Sequence, residues 1–497
     1  MVITIQQLIA FSPLLILLLT VIIIILFISY NRNHFFTFLC SIIGLTLSLL
    51  SLHVTQNSIP IDVTILFHID KYSLFYIFII ILSSMISCIF SYLWLKNCFY
   101  NCEEFYLLLL CSTVGCITLV IANHMSALFI GMELSSLPIL GLISYTHFKK
   151  NSLEAAIKYM ILSCSISVLF LFGITLIYSI TGSLTFSSLI YELIISISQP
   201  DCILLCGLGL IIVAFAFKLS VFPFHIWTPD VYNGTPSAVL MYLSTAVKIA
   251  VFSLFFKIFI FLTFFHINFF NSILEIMLCF SIFFGSFMAL FQTSMKRFLG
   301  YSSIAQFGYL FVSLLTSNNF SFSLETVGIY LVSYLLSNIG IFGLISIMSN
   351  VDCKFQYDTI DFYRGLFWRS PILSVIMAIM LFSLSGIPIT IGFISKFYLL
   401  FLIVKEHFWF LGIAFIVGSM VSIYSYLRII TYLYSEPVYN SSTRKIVLDE
   451  NNKKCVFILL VISLLILILG VFPDMIIHVI SISKPVLFNN VIYFKNL

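Results

Sequence analysis

Residues 203–227 read ILLCGLGLIIVAFAFKLSVFPFHIW, and this stretch decides the solvent in which the chain folds. The fifteen residues before Lys218 carry no charge. A helix rises ~1.5 Å per residue, so about 20 mainly apolar residues cross a hydrocarbon layer of ~30 Å. The run is continuous, unlike the ten-residue alternation of a barrel strand. It is a membrane-spanning helix, and it contains two features that lipid penalises. Lys218 lies about a dozen residues in, and Pro223 follows five residues later.

The rest of the chain repeats the pattern. Of 497 residues, 61% are hydrophobic and 8% charged, against about 25% charged in an ordinary soluble domain. Too little polar surface remains to cover a globular exterior. Apolar runs lie near 8–29, 35–53, 73–95, 105–122, 125–146, 156–181 and 203–226, then near 237–263, 273–292, 299–316, 327–348, 372–404, 408–433 and 455–475. The fold expected is an all-α polytopic membrane protein of about 14 spans. Connections after odd-numbered spans hold Arg32, Lys96, Lys149, Lys150, Lys296, Arg297, Lys354, Arg364, Arg369, Arg444, Lys445, Lys453 and Lys454; those after even-numbered spans hold Lys71 and Lys405. This asymmetry puts the odd loops in the cytoplasm and both termini on the opposite side of the membrane. No basic residue precedes Arg32, so the first run is read as a retained span and not as a cleavable signal. The net charge of +4 from 23 basic and 19 acidic residues excludes a nucleic-acid binder. The twelve cysteines form no C-x-x-C pair and have no histidines at ligand spacing, so no metal or iron–sulfur site is expected.

Four charges stand out within the spans: Glu133 in span 5, Lys218 in span 7, Lys248 in span 8 and Lys396 in span 12. Left in lipid they would together cost roughly 10–14 kcal/mol. They must pair or face hydrated cavities. Lys158 opens span 6 one turn after Glu154, which reads first as an i,i+4 surface pair. Lys257 and Glu275 lie near helix ends and read as interfacial. Helix-disrupting residues stand beside the charges: Pro138 five residues beyond Glu133, Pro223 beyond Lys218, and Gly386, Pro388 and Gly392 ahead of Lys396. A proline frees a carbonyl, which survives in a membrane only where protein or water satisfies it. Breaks beside buried charge mark ion-handling sites in transporters. His225, just past the span 7 break, is a further candidate for proton transfer.

An amine in a low-dielectric cavity gives up its proton more readily, and a nearby carboxylate holds the proton on. Glu133 can therefore set whether Lys218 keeps its proton, with Lys248 and Lys396 receiving and forwarding it through water. Arginine could not do this, because it does not deprotonate in proteins. The residues alone lead to proton or cation transfer across a membrane.

The motifs that carry these charges are GMELSSLP around Glu133, SLEAAIKY around Lys158, FKLSVFPFHIWTPDVYNGTPSAV from Phe217, LSTAVKIAVF around Lys248, MKRFLGYSSIAQFGYL around Lys296 and LSGIPITIGFISKFY around Lys396. In these six ordered blocks the chain resembles the antiporter-like subunits of proton-pumping NADH:quinone oxidoreductase (respiratory complex I), most closely the N type. The resemblance implies spans 1–3 over residues 1–103, two inverted five-helix repeats over 104–263 and 264–433, and a loop, span 14 and tail over 434–497, with spans 7 and 12 discontinuous. It implies Glu133 as the pairing carboxylate, Lys218 as the switched carrier, Lys248 as the connecting lysine and Lys396 as the exit-side lysine. A lysine at 396, where the M type has glutamate, and the lack of a long L-type extension favour N. Gln306 departs from the histidine common in close relatives, yet an amide still hydrogen-bonds water. The resemblance further implies no cofactor in this chain, with NADH, FMN, iron–sulfur clusters and quinone in or between partner subunits. The partners implied are neighbouring subunits of M and K type, the long lateral helix of the L type, and the lipid bilayer. A subunit of a multisubunit cation/proton antiporter is the alternative.

Overall fold

A computed structural model of the protein describes residues 4–96, 101–189, 202–264, 268–315, 320–351, 358–436 and 450–483. Two helices, α1 (Ile5–Tyr30) and α2 (His34–Thr55), lead into a short hairpin of β1 (Ile61–Thr64) and β2 (Phe67–Ile69), antiparallel with Asp62 opposite His68. Then come α3 (Lys71–Lys96), α4 (Glu103–Ile121), α5 (Met125–Ile143), α6 (Lys150–Thr181), α7 (Cys202–Lys218), α8 (Trp227–Gly234), α9 (Ser237–Tyr242), a π-helical turn (Leu243–Val247) and α10 (Lys248–Phe264). The second half holds α11 (Asn268–Leu290), α12 (Met295–Leu315), α13 (Phe320–Val351), α14 (Leu366–Arg369), α15 (Pro371–Ser385), α16 (Ile391–Lys405), α17 (Trp409–Tyr434), α18 (Glu450–Val471) and α19 (Asp474–Ile482).

Among the described residues, twelve helical segments are long and apolar enough to cross a membrane, and α7 and α15 are shorter apolar helices. Each shorter helix stops at a gap and resumes: α7 passes through 219–226 into α8, and α15 through 386–390 into α16. These are spans 7 and 12, interrupted where Pro223, Gly386 and Pro388 stand. Two of the expected breaks are corrected. Helix α5 runs unbroken through Pro138. A proline removes one hydrogen bond, and here α4 packs at backbone distance, with Gly115 so close that a Cβ would lie 2.4 Å from Ser135 N. Gly392 belongs to the first turn of α16 and not to the gap before it.

Burial sorts the helices into an axis and a jacket. The segment Ser237–Ile258 is buried throughout, and α12 and α13 nearly so. Helices α1, α2, α6, α17 and α18 turn Ile22, Leu26, Leu50, Phe172, Met420 and Leu464 outward, as lipid contact requires. Many buried serine hydroxyls are satisfied within their own helices. In α3, Ser83, Ser84, Ser87 and Ser91 each donate to the carbonyl three residues earlier, a bond that needs no water. Of the basic residues counted for orientation, Lys354, Arg444 and Lys445 lie outside the described residues.

Candidate functional site

The buried lysines lie along the axis. Lys218 is the last residue of α7, and its Nζ is buried without a hydrogen-bond partner, 5.8 Å from the centre of the Tyr159 ring of α6. Beyond it the helix end is closed by local bonds, Val221 N to Ala216 O at 2.8 Å, and by the Trp227 indole donating to Phe217 O at 3.0 Å. Glu133 of α5 acts electrostatically on both Tyr159 and Lys218. No direct ion pair joins Glu133 to Lys218 among the described residues. The carboxylate, the phenol and the amine thus sit on three successive helices in an open arrangement.

Two residues past Lys218, Ser220 adopts a left-handed backbone with φ of 59°, uncommon for a residue with a Cβ. That conformation turns its hydroxyl to Lys248, whose Nζ donates to Ser220 Oγ at 2.8 Å and to Ser303 Oγ of α12 at 3.0 Å. Lys248 is 1% exposed, with the Phe307 ring centre 4.9 Å away and that of Tyr232 5.6 Å away. It directly follows the π-helical turn. One extra residue in a turn shifts the face that follows, and such bulges collect at functional sites.

From Ser303 the polar line continues along α12. Gln306, three residues on, donates from Nε2 to Leu384 O at 3.0 Å and to the Tyr426 hydroxyl at 3.5 Å, and accepts from Tyr330. Leu384 and Ser385 are the last residues of α15, and Lys396 Nζ donates to Ser385 O at 2.8 Å with the Tyr309 ring centre 5.3 Å away. Lys218, Ser220, Lys248, Ser303, Gln306, the α15 terminus and Lys396 therefore form one buried row through both helix breaks. Ser303→Ala removes one of two hydrogen bonds to the Lys248 ammonium, each worth about 1.5–3 kcal/mol. The expected result is slower proton transfer with a folded protein, and a larger loss in Ser220→Ala/Ser303→Ala, read as pumping rate in membrane vesicles.

The weaker candidates separate. Lys158 pairs with Glu154 at 2.7 Å, as expected, but also with Asp230 of α8 at 2.7 Å, and Asp230 binds Arg297 at 2.7 Å. This network borders a cavity of about 170 Å³, beside a larger one of about 250 Å³ lined by Lys149, Lys150, Lys296 and Asp358. His225 is buried with Nδ1 unpartnered and stacks on Phe222, with no bond to Lys218. Lys257, expected at the interface, is instead 2% exposed, because the start of α3 covers it: Tyr72 bonds Ser253 one turn away. Glu275 is partly buried in α11. Sequence reasoning missed Ser220, Ser303 and Asp230, and also Arg428 in span 13, which donates to Leu290 O at 2.7 Å and so caps the end of α11. Its charge inside an apolar run was the available signal.

Comparison with known proteins places this geometry in context. The family described as "NADH:quinone oxidoreductase/Mrp antiporter, TM" matches residues 122–422. A protein named NADH-quinone oxidoreductase subunit N from Buchnera aphidicola subsp. Schizaphis graminum (strain Sg) is 46% identical over 491 residues, covering 97% of this chain and 99% of its own length. The subunit N of Buchnera aphidicola subsp. Acyrthosiphon pisum (strain APS) is 47% identical, over 88% of this chain and 90% of its own. Among solved structures, a chain of respiratory complex I from Thermus thermophilus with bound Aureothin is 26% identical, covers 95% of this chain and 100% of itself, and superposes with a TM-score of 0.79. A chain of the Mrp complex from Dietzia sp. DQ12-45-1b shares the fold alone, with a TM-score of 0.81 at 16% identity over 97% of each chain.

Proposed function

The chain belongs to the family of NADH-quinone oxidoreductase subunit N, and we propose that it moves protons across the membrane through the row from Lys218 to Lys396. It is a proton-translocating membrane-arm subunit of complex I, embedded by many helices, with the cofactors of the complex in other subunits. The finer reading follows the row. Glu133 tunes Lys218, Lys218 passes its proton toward Lys248 across the Ser220 turn, and Gln306 carries the line to Lys396. The chain's two halves act as inverted repeats of five spans each, one broken at α7/α8 and the other at α15/α16, within fourteen spans in all. No redox centre operates in this chain, so its energy arrives from neighbours of M, K and L type. Both termini face the periplasm, which puts the cavities beside Lys158 and Lys296 on the cytoplasmic side, where protons are taken up.

One observation carries this reading. Lys248 is almost fully buried yet holds one hydroxyl from the break between α7 and α8 and one from α12. A structural lysine in lipid would pair with a carboxylate or reach for the interface; this one joins two polar segments. The test is Lys248→Ala and Lys248→Arg in membrane vesicles that contain the assembled complex. NADH-driven internal acidification is expected to fall in both, by roughly tenfold or more for loss of a positioned proton donor, while NADH oxidation by ferricyanide persists. Normal pumping in Lys248→Arg would refute the carrier role, since arginine keeps its proton.

A further inference from the structure

A second set of ionisable groups lies off the row, at the other end of the same span. Lys257 stands nine residues beyond Lys248, about 13 Å along a helix, toward the side of the β hairpin and away from the lysine-rich loops. Its Nζ is buried without a hydrogen-bond partner. The carboxylates that act on it are Asp70 and Asp62. Asp70 is fully buried; one of its oxygens accepts from Ser73 N at 2.8 Å, and the other, Oδ2, has no partner. The Tyr72 hydroxyl bonds Ser253 O at 2.8 Å, which holds Asp70 two residues away against the face of α10 that carries Lys257 one turn later. Two residues before Asp70, His68 is the middle residue of β2. Its Nε2 is buried and unpartnered, while Nδ1 meets Asp62 Oδ1 at 2.6 Å, and the Asp62 side chain is 73% exposed.

The polarity of these groups is graded: a buried amine, a buried carboxylate, a buried histidine with one nitrogen unpartnered and the other bonded to Asp62, and an exposed carboxylate. Buried charges with unmet hydrogen-bonding capacity are costly to hold in a fold, and a purely structural pair would close into contact. Lys257 and Asp70 do not touch within ion-pair distance among the described residues. We infer that Lys257, Asp70 and His68 form a proton-release site that connects the interior of span 8 to the aqueous face above the hairpin. This rests on the reading of the chain as a proton carrier. In one passage, the Lys257 N–H bond breaks and an O–H forms on Asp70. That proton then goes to His68 Nε2 as the Nδ1 proton leaves to Asp62 and water, so one proton enters and one departs. Bridging water completes the contacts, and exchange of the ring proton through water restores the imidazole.

The experiment compares Lys257→Met, Asp70→Asn, the double Lys257→Met/Asp70→Asn, His68→Gln and Lys218→Ala in vesicles holding the whole complex, with ferricyanide reduction by NADH reporting assembly. The double variant leaves no unpaired charge, so it separates folding from transfer. Both singles and the double are expected to lose pumping roughly tenfold or more, with His68→Gln losing several-fold. Infrared difference spectra during turnover are expected to show a protonated-carboxyl band that Asp70→Asn removes, which a structural aspartate would not give. Wild-type pumping in the double variant overturns the inference. If the charge variants do not accumulate, unchanged pumping in His68→Gln, at a hairpin position with an aqueous side, overturns it. Normal pumping in Lys218→Ala would fell the parent reading instead, and a loss there alongside a normal double variant would fell only this one.

Discussion

Lys218→Ala is expected to abolish most NADH-driven proton pumping while the complex assembles and NADH still reduces ferricyanide. The amine ends α7, at the negative end of the helix dipole and near the Tyr159 ring, both of which favour a cation. Yet its Nζ makes no hydrogen bond, and Glu133, the carboxylate that acts on it, forms no ion pair with it. A static ammonium would not be left so poorly satisfied, because a buried unpaired charge is among the costliest groups a fold can hold. A group that must release its proton has to be held weakly in one of its states. Removing it takes away a positioned donor, worth roughly 10²-fold or more in the step it serves. Lys218→Arg discriminates sharply. It preserves charge and the contact with Tyr159, so an inert scaffold or a fixed counter-ion predicts normal pumping. A carrier predicts loss, since the guanidinium does not deprotonate. Glu133→Gln should cause a smaller loss, because the carboxylate tunes the carrier and does not itself lie on the row. The readout is the rate of vesicle acidification at matched ferricyanide activity.

The parts of this site that were legible in the sequence share one physical cause. Lipid makes a buried charge expensive, so Lys218, Lys248 and Lys396 stood out against apolar neighbours, and the glycines and prolines beside two of them marked where α7 and α15 end. Ser220 and Ser303 gave no such signal. Serine costs little in a membrane helix, where it usually bonds its own backbone, and only the tertiary fold brings these two hydroxyls to Lys248. Pro138 misled for the converse reason: the residue that weakens a helix is in the sequence, while the neighbour that supports it, α4 at Gly115, is found only by packing. Lys257 misled through its position. Near a helix end a long side chain can snorkel to water, but the start of α3 closes that exit. Charge reports where a protein spends energy, and contacts report why.

Gly386→Val is expected to prevent stable accumulation of the subunit, and with it pumping, more severely than any substitution of Lys396 itself. Gly386 closes α15 with φ of 80°, its amide donating to Phe382 O and Ser383 O. A left-handed backbone costs an ordinary residue roughly 1–2 kcal/mol, and a β-branched one is a genuine outlier there. Space is denied as well. A Cβ at 386 would stand 2.7 Å from Lys396 Cδ and 3.5 Å from its Nζ. The lysine cannot simply swing aside, because its Nζ is tied to Ser385 O and lies against Tyr309 in a buried site. Overpacking of this kind typically costs about 1–3 kcal/mol more, and it would push the amine off the carbonyl that holds it. Gly386→Ala separates the two causes. It keeps most of the backbone strain and the clash but is the smallest Cβ, so partial accumulation with a selective pumping defect is expected, whereas Lys396→Ala should accumulate normally and fail only in pumping. If Gly386→Val accumulates and pumps like the wild type, the break in span 12 does not position Lys396. Immunodetection of the subunit in membranes, followed by acidification rates per assembled complex, measures both outcomes.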